Sequence, residues 1–478
     1  MFQVIARNFS IVTAAQFIGA GIAFLWVAFA ARQLGPAQFG TFLLVVAYVR
    51  VVSVTINAGV GPITFRELAR RRDDALSLFE DIVCMRLVLG LAGYVGLMAT
   101  LFLFQQDLDL LALVAISAIT LLLDPLSETY AAYYLAHERA EVPSIYTVTS
   151  IVLSSTASAA LLLAGYGLMA VVVLETVSAF VMTLIWTSLF RARNFRFSIR
   201  ARPAEWWRLF LLIVPFAPIH LSNQLNRALN VILLGRLSGP IPMQEAVGYY
   251  GPPQSVTNTV VMLVMTLRRV MIPSVTVRLS QGLTVTRELD LGVKLVMAVF
   301  ALPLLLGSSF MAPEVISLLF GEHYAPSAMA LVILGWAGAL QIAALVPETF
   351  LFAHPNHRLQ EYVAGAFASV LLNAAVCVLL IGDYGFLGAA VGAVAGRILY
   401  LVYVVHYCRR QLGGQVLRVQ TFGDSTLLLL AAFGLWLVTF QVIGNAWIAG
   451  AAAILLTLPL IAGFVLYLRP QFIARQQA

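Results

Sequence analysis

Apolar runs of about 20 residues recur from one end of the chain to the other, and no other feature limits the fold so strongly. The first reads IVTAAQFIGAGIAFLWVAFAA (residues 11–31). A helix of that length crosses the roughly 30 Å hydrocarbon layer of a bilayer. A spanning barrel would instead alternate apolar and polar residues over segments of about ten, whereas these runs are continuous. Composition agrees, since 61% of the 478 residues are hydrophobic and only 11% are charged; a soluble domain carries about 25% charged residues. The expected class is an all-α polytopic membrane protein. The first run exceeds the apolar stretch of a secretory signal, so it is expected to stay in place as a helix.

The runs and their breaks give about 14 transmembrane helices, at 4–31, 39–62, 82–104, 110–135, 144–164, 168–190, 210–236, 247–272, 291–311, 326–352, 361–380, 386–407, 425–443 and 447–468. The breaks QLGPAQ, QQDLD, GYG, SGPIPMQEA and GDYG carry turn residues. Basic residues then set the orientation. With the N-terminus inside, 23 of the 29 Lys and Arg residues fall in inner loops or at inner helix ends. They include Arg191, Arg193, Arg196, Arg200, Arg202 and Arg208, while Arg32 and Arg236 fall outside. Both termini are therefore expected to be cytoplasmic. The net charge of +7 belongs to loops facing lipid headgroups and implies no nucleic-acid partner. Tryptophans at 206–207, beside the arginine cluster, read as an interfacial anchor.

The chain also repeats itself. LAHERAEVPSIYTV (135–148) answers FAHPNHRLQEYVAG (352–365), and GYGLMAVVVLETV (165–177) answers DYGFLGAAVGAVA (383–395). His137 and His354 are 217 residues apart, and Tyr166 and Tyr384 are 218 apart. Both copies begin on the same side, so they are parallel repeats, an arrangement typical of transporters with a central cavity. The expected organisation is two pseudo-symmetric six-helix bundles, 1–195 and 205–410, with an extra transmembrane hairpin at 420–470.

AARQLGPAQFGTFLLV after the first helix, GPITFRELARRRDD after the second, LFGEHYAPSAMALVILGW (319–336) and the paired YG turns resemble the polysaccharide-transporter branch of the MOP superfamily, the Wzx-type oligosaccharide flippases. The resemblance runs over about residues 1–470 and implies a MOP/MATE-like fold. It also implies an inner-membrane flippase for undecaprenyl-diphosphate-linked oligosaccharides, such as O-antigen, capsule or exopolysaccharide units. The partner it implies is the lipid-linked oligosaccharide itself, with a glycan polymerase and chain-length complex as a further candidate.

Independently of that resemblance, ionisable residues fall inside the apolar runs: Arg50, Arg86, Arg227 and Arg397, and Asp124, Glu128, Glu175 and Glu348. Each costs about 2.5–3.5 kcal/mol at membrane depth unless it faces protein or water. At 100° per residue, His220, Asn223, Asn226, Arg227 and Asn230 share one side of their helix; so do Arg50, Ser53, Asn57, Gly61 and Thr64, and likewise Ser117, Thr120, Asp124 and Glu128. Arg86 lies within reach of the fourth helix's carboxylates and fits an interhelical pair. Arg50, Arg227 and Arg397 are the candidates for a hydrated cationic cavity, because guanidinium offers forked donors to phosphate oxygens. Asn57, His220, Asn223, Asn226 and Asn230 are the candidates for glycan contact. Asp124, Glu128 and Glu348 are the candidates for coupling to H⁺ or Na⁺.

No other cofactor is expected. Cys84, Cys377 and Cys408 are scattered and suit neither a disulfide framework nor a metal site, and no phosphate-binding Walker loop occurs. A MATE-like exporter of drugs or small cations is the alternative, disfavoured by the interior arginines. A membrane glycan enzyme is disfavoured by short outer loops.

Overall fold

The computed structural model describes residues 2–412, apart from 58–59, 72–73, 105–106, 192–201, 215–216, 238, 281–285 and 354–358. The hairpin expected at 420–470 lies outside the described residues. Every regular element among the described residues is helical, and nine helical stretches are long and apolar enough to cross a membrane. The first of these, Ser10–Asn57, covers two expected crossings. The chain divides into two compact units: residues 1–237 with 241–248, and residues 238–240 with 249–478.

The first unit opens with α1 (Phe2–Asn57), which bends at Gly35. Gly35 has φ 70°, open to a residue lacking Cβ, and Pro36 follows it. Next come α2 (Val60–Arg70) and α3 (Ala75–Phe104). The expected fourth crossing is broken into α4 (Leu108–Ser117) and α5 (Thr120–Ala136). Asp107 caps α4, accepting from the backbone N–H of Asp109 and Leu110 at 3.0 and 3.2 Å. At the break the ladder tightens to three-residue bonds, Leu121 N to Ala118 O and Leu122 N to Ile119 O, both at 3.0 Å. Pro125 supplies the cause: its ring crowds the carbonyl of Leu121 four residues earlier and offers no N–H to it. Then follow α6 (Glu141–Leu163), α7 (Leu168–Arg191), α8 (Pro203–Ile213) and α9 (Ala217–Leu234). Within the expected seventh crossing at 210–236, α8 ends at Ile213 and α9 begins at Ala217, with Pro218 in its first turn.

Aromatic packing holds this unit's core. Phe79 stacks on Phe190 at 4.6 Å between centroids, and Tyr130 lies parallel to Trp186 at 5.9 Å. All four residues are buried. The end of α9 is fastened to α1 and α3: Arg236 donates to the Tyr48 hydroxyl at 3.1 Å and to the Phe104 carbonyl at 2.8 Å. The first turns of α10 (Met243–Ser280) close onto the bend of α1. A Cβ on Gly248 would lie 2.0 Å from the Pro36 carbonyl oxygen, and one on Gly40 1.8 Å from that of Gln244. The bend of α1 and the first turns of α10 therefore meet through backbone.

The second unit continues along α10 and adds α11 (Thr286–Val296), a π-helical turn at Met297–Ala301 and α12 (Leu302–Phe310). Then come α13 (Ala312–Phe320), a 3₁₀ turn at Glu322–Ser327, α14 (Ala328–Ala353), α15 (Leu359–Tyr384) and α16 (Phe386–Leu412). The π turn precedes Pro303, whose missing N–H it accommodates. Glycines 388, 392 and 396 on α16 form a small-residue seam against α15. A Cβ on Gly388 would meet the Leu380 carbonyl at 2.5 Å, and one on Gly396 the Ser369 carbonyl at 2.8 Å. That close approach fixes the residue after the seam, Arg397.

Candidate functional site

In the first unit Arg50 lies on α1 two turns before its end, with an exposed side chain. Among the described residues it has no hydrogen-bond or ion-pair partner. A guanidinium in that position is tolerated only against water or a polar ligand. Asn57, on the same helix, is half-buried. Because α9 is continuous from Ala217 to Leu234, the expected polar stripe stays on one face. Asn230 is buried, Arg227 and Asn226 are half-buried, and the Asn226 amide donates to the Ser222 carbonyl at 3.2 Å. His220 and Asn223 lie on the same helix, and their side chains are outside the described set.

Arg86 has a different environment. Its side chain is 1% exposed. One terminal nitrogen donates to the Pro125 carbonyl at 2.5 Å and to Glu128 Oε2 at 3.2 Å. The Pro125 carbonyl lies inside α5, where it also accepts from the Thr129 hydroxyl at 2.8 Å, so the buried guanidinium shares that acceptor. Glu128 is thereby committed to an interhelical pair, although its side chain is 58% exposed.

Asp124, one turn before Glu128, lines a cavity of about 320 Å³ formed by α1, α5, α6 and α7. Glu175 lines it too, together with six serines and the Tyr146 hydroxyl. Asp124 and Glu175 have no salt-bridge partner among the described residues. The cavity therefore offers carboxyl and neutral oxygen acceptors with no Lys or Arg in its lining among the described residues. A discontinuous helix beside such a site is a recurrent device of secondary transporters.

The second unit buries a charged network. Glu348 on α14 is 4% exposed. Its Oε1 accepts from Arg268 of α10 at 3.1 Å and from the Tyr362 hydroxyl of α15 at 2.5 Å. Tyr362 in turn contacts the Tyr400 hydroxyl of α16 at 2.6 Å. Arg397, half-buried three residues before Tyr400, lies within electrostatic range of Tyr400, Glu348, Tyr250 and Tyr362. Arg268 is thus paired with the carboxylate directly, and Arg397 lies near it without an ion pair among the described residues.

Two parts of these sites escape a first reading of the sequence. Arg268 falls at the inner end of the crossing expected at 247–272 and counts with the cytoplasmic arginines, yet α10 runs on to Ser280 and carries it against Glu348. The signal was the isolated acid in α14. The hydroxyl face of α6 is also missed, although Tyr146, Ser150, Ser154 and Ser158 recur every four residues. Among the described residues no group of three or more His, Cys, Asp or Glu side chains is placed to hold a metal ion.

The family profile described as polysaccharide biosynthesis protein matches residues 5–277. No individual curated protein sequence matches the chain. Among solved structures, the lipid II flippase MurJ in an inward closed conformation is 13% identical, with a TM-score of 0.76 over 97% of this chain and 99% of that one. An inward-facing multidrug resistance MATE family transporter of the MOP superfamily is 13% identical, with a TM-score of 0.63 over 82% and 94%. The eukaryotic MATE transporter AtDTX14 is 14% identical, with a TM-score of 0.58 over 85% and 98%. At these identities the likeness is one of fold, and that fold is shared by both kinds of transporter.

Proposed function

The chain belongs to the polysaccharide biosynthesis protein family, within the polysaccharide-transporter branch of the MOP superfamily, and from that premise we propose that it is a flippase. Its substrate in this reading is an undecaprenyl-diphosphate-linked oligosaccharide, carried across the bacterial inner membrane by alternating access. The observation that carries the reading is Arg50: an exposed guanidinium within an apolar helix, with no carboxylate partner among the described residues. A diphosphate supplies the missing anion, and guanidinium suits its oxygens. Arg227 and Arg397 are assigned the same task. Asn57, His220, Asn223, Asn226 and Asn230 are assigned to sugar hydroxyls, which amides recognise without fixing one sugar.

Alternating access needs a driving force, and Asp124 with Glu175 is assigned to bind the coupling ion, H⁺ or Na⁺. Their cavity supports this because its carboxylates have no salt-bridge partner among the described residues. Glu128 and Glu348, also candidates from the sequence, are engaged by Arg86 and Arg268, so ion uptake at either must break a pair. Both termini are assigned to the cytoplasm, and the glycan polymerase is the expected neighbour.

The test is complementation. In a strain lacking its own flippase, the chain restores surface glycan, and Arg50→Ala with Arg227→Ala abolishes the restoration while the protein stays in the membrane. Export unchanged by both substitutions refutes the cationic-cavity reading. The anionic cavity favours the alternative, a MATE-like exporter of small cations. Drug resistance without any effect on glycan would establish it.

A further inference from the structure

At the junction of α2, α3 and α8 five arginines surround three carboxylates, and the two signs face opposite ways. Glu67 and Asp81 have side chains 2% and 1% exposed, and Glu205 is 21% exposed. The guanidinium groups point outward: Arg70 is 65% exposed, Arg66 54%, Arg202 51%, and Arg208 and Arg71 about a third. Inside, Arg208 bonds Glu67 and Glu205, both at 2.9 Å. Arg71 reaches Glu205 at 3.0 Å, and Arg202 grips Asp81 through two nitrogens. Arg66 and Arg70 touch Glu67 only at 3.8 and 3.4 Å, so most of their donors face away from protein. Asp74 is the one exposed carboxylate described on this rim. Exposed salt bridges that served only each other would show both signs; here the anions are inside and the cations outside.

The same rim carries apolar surface. Around α8 the residues sort into three faces. Leu209 and Ile213 are buried, Glu205 and Arg208 join the ion pairs, and Trp207, Phe210, Leu211 and Val214 are exposed. Trp207 stacks on Phe210 at 5.6 Å. An 11-residue helix is too short to span a bilayer. With one bare apolar face, a tryptophan and flanking arginines, it suits the plane of the membrane surface.

We propose that the α2–α8 rim binds the phosphate headgroups of anionic phospholipids. Arg66 and Arg70 hold the phosphate, and the Trp207 face of α8 lies against the acyl chains beside it. The ion pairs beneath keep α8 on the first unit while its outer cations meet the lipid. This site is separate from the interior arginines and does not depend on what the protein transports.

Native mass spectrometry of the detergent-purified chain tests the proposal, with phosphatidylglycerol and phosphatidylcholine titrated separately. Phosphatidylglycerol is expected to bind more tightly. Arg66→Gln and Arg70→Gln are each expected to weaken it about fivefold, with no change for phosphatidylcholine. Arg139→Gln, an exposed arginine elsewhere, should leave both unchanged. Equal affinity for the two lipids, full phosphatidylglycerol binding by the double variant, or equal loss in Arg139→Gln overturns the proposal. So does selective displacement of phosphatidylglycerol from these arginines by an undecaprenyl diphosphate, which would make the rim a loading site. The unaltered rim is tested in proteoliposomes by quenching with brominated lipid. Brominated phosphatidylglycerol should quench the Trp207 emission, taken as the difference from Trp207→Phe, more than brominated phosphatidylcholine does. Equal quenching overturns the proposal.

Discussion

Removing Arg268 tests the second unit's buried network most directly. Arg268→Gln removes the ion pair of Glu348, whose side chain is 5% exposed, and leaves the Tyr362 hydroxyl on its Oε1. Breaking a buried pair from one side costs about 3–5 kcal/mol; here the remaining carboxylate loses its hydrogen-bonded counter-ion and keeps only the more distant Arg397. Glu348→Gln is milder: its amide oxygen still accepts from Tyr362, and the charge left behind is on Arg268, which is 20% exposed. About 1–2 kcal/mol is expected there. The double variant removes both charges, so it should be more stable than the sum of the single losses predicts. The coupling expected for contacting residues is about 1–3 kcal/mol. The assay is a double-mutant cycle on unfolding of the purified protein in mixed micelles. Additivity to within about 0.5 kcal/mol would mean that the pair carries no mutual energy, and the argument from burial would fail. If Glu348 also takes up the coupling ion, the double variant regains stability and not transport.

Arg86→Leu should cost about 3 kcal/mol or more, since it strips the Pro125 carbonyl and Glu128 of their shared donor; thermal unfolding in detergent measures it. Gly248→Ala forces a methyl into the space of the Pro36 carbonyl and is expected to cost about 1–3 kcal/mol. Gly21→Ala, which meets nothing within 4 Å, should be neutral in the same assay. Asp124→Asn with Glu175→Gln should alter stability by less than about 0.5 kcal/mol, neither acid having a salt-bridge partner among the described residues. In proteoliposomes the same pair should abolish the dependence of flipping on a H⁺ or Na⁺ gradient; undiminished dependence would remove these acids from the coupling role.

Periodicity and length alone determined the fold class. An apolar run of about 20 residues has one way to satisfy its backbone in lipid, so helix existence was legible wherever the runs were clean. Helix interiors were less so. The break at Ala118–Ile119 depends on Pro125, and a proline in an apolar run reads equally as a kink or an end until the neighbouring chain is placed. The stripes on α1, α5 and α9 were likewise legible, because 100° per residue is a property of any helix.

Which polar groups are already satisfied was decided only by tertiary structure. The sequence puts Arg50 and Arg86 at membrane depth and offers Arg86 the carboxylates of the fourth crossing without choosing between Asp124 and Glu128. In space Arg86 meets Pro125 and Glu128, and Arg50 meets no partner among the described residues. Arg268, counted from the sequence as a cytoplasmic residue at an inner helix end, is the counter-ion of Glu348. Asp124 and Glu175, 51 residues apart in the chain, line one cavity. Pairing depends on distances between helices, and those follow from close packing at glycine seams and aromatic stacks. The period of a single helix records which side is polar; it does not record what that side faces.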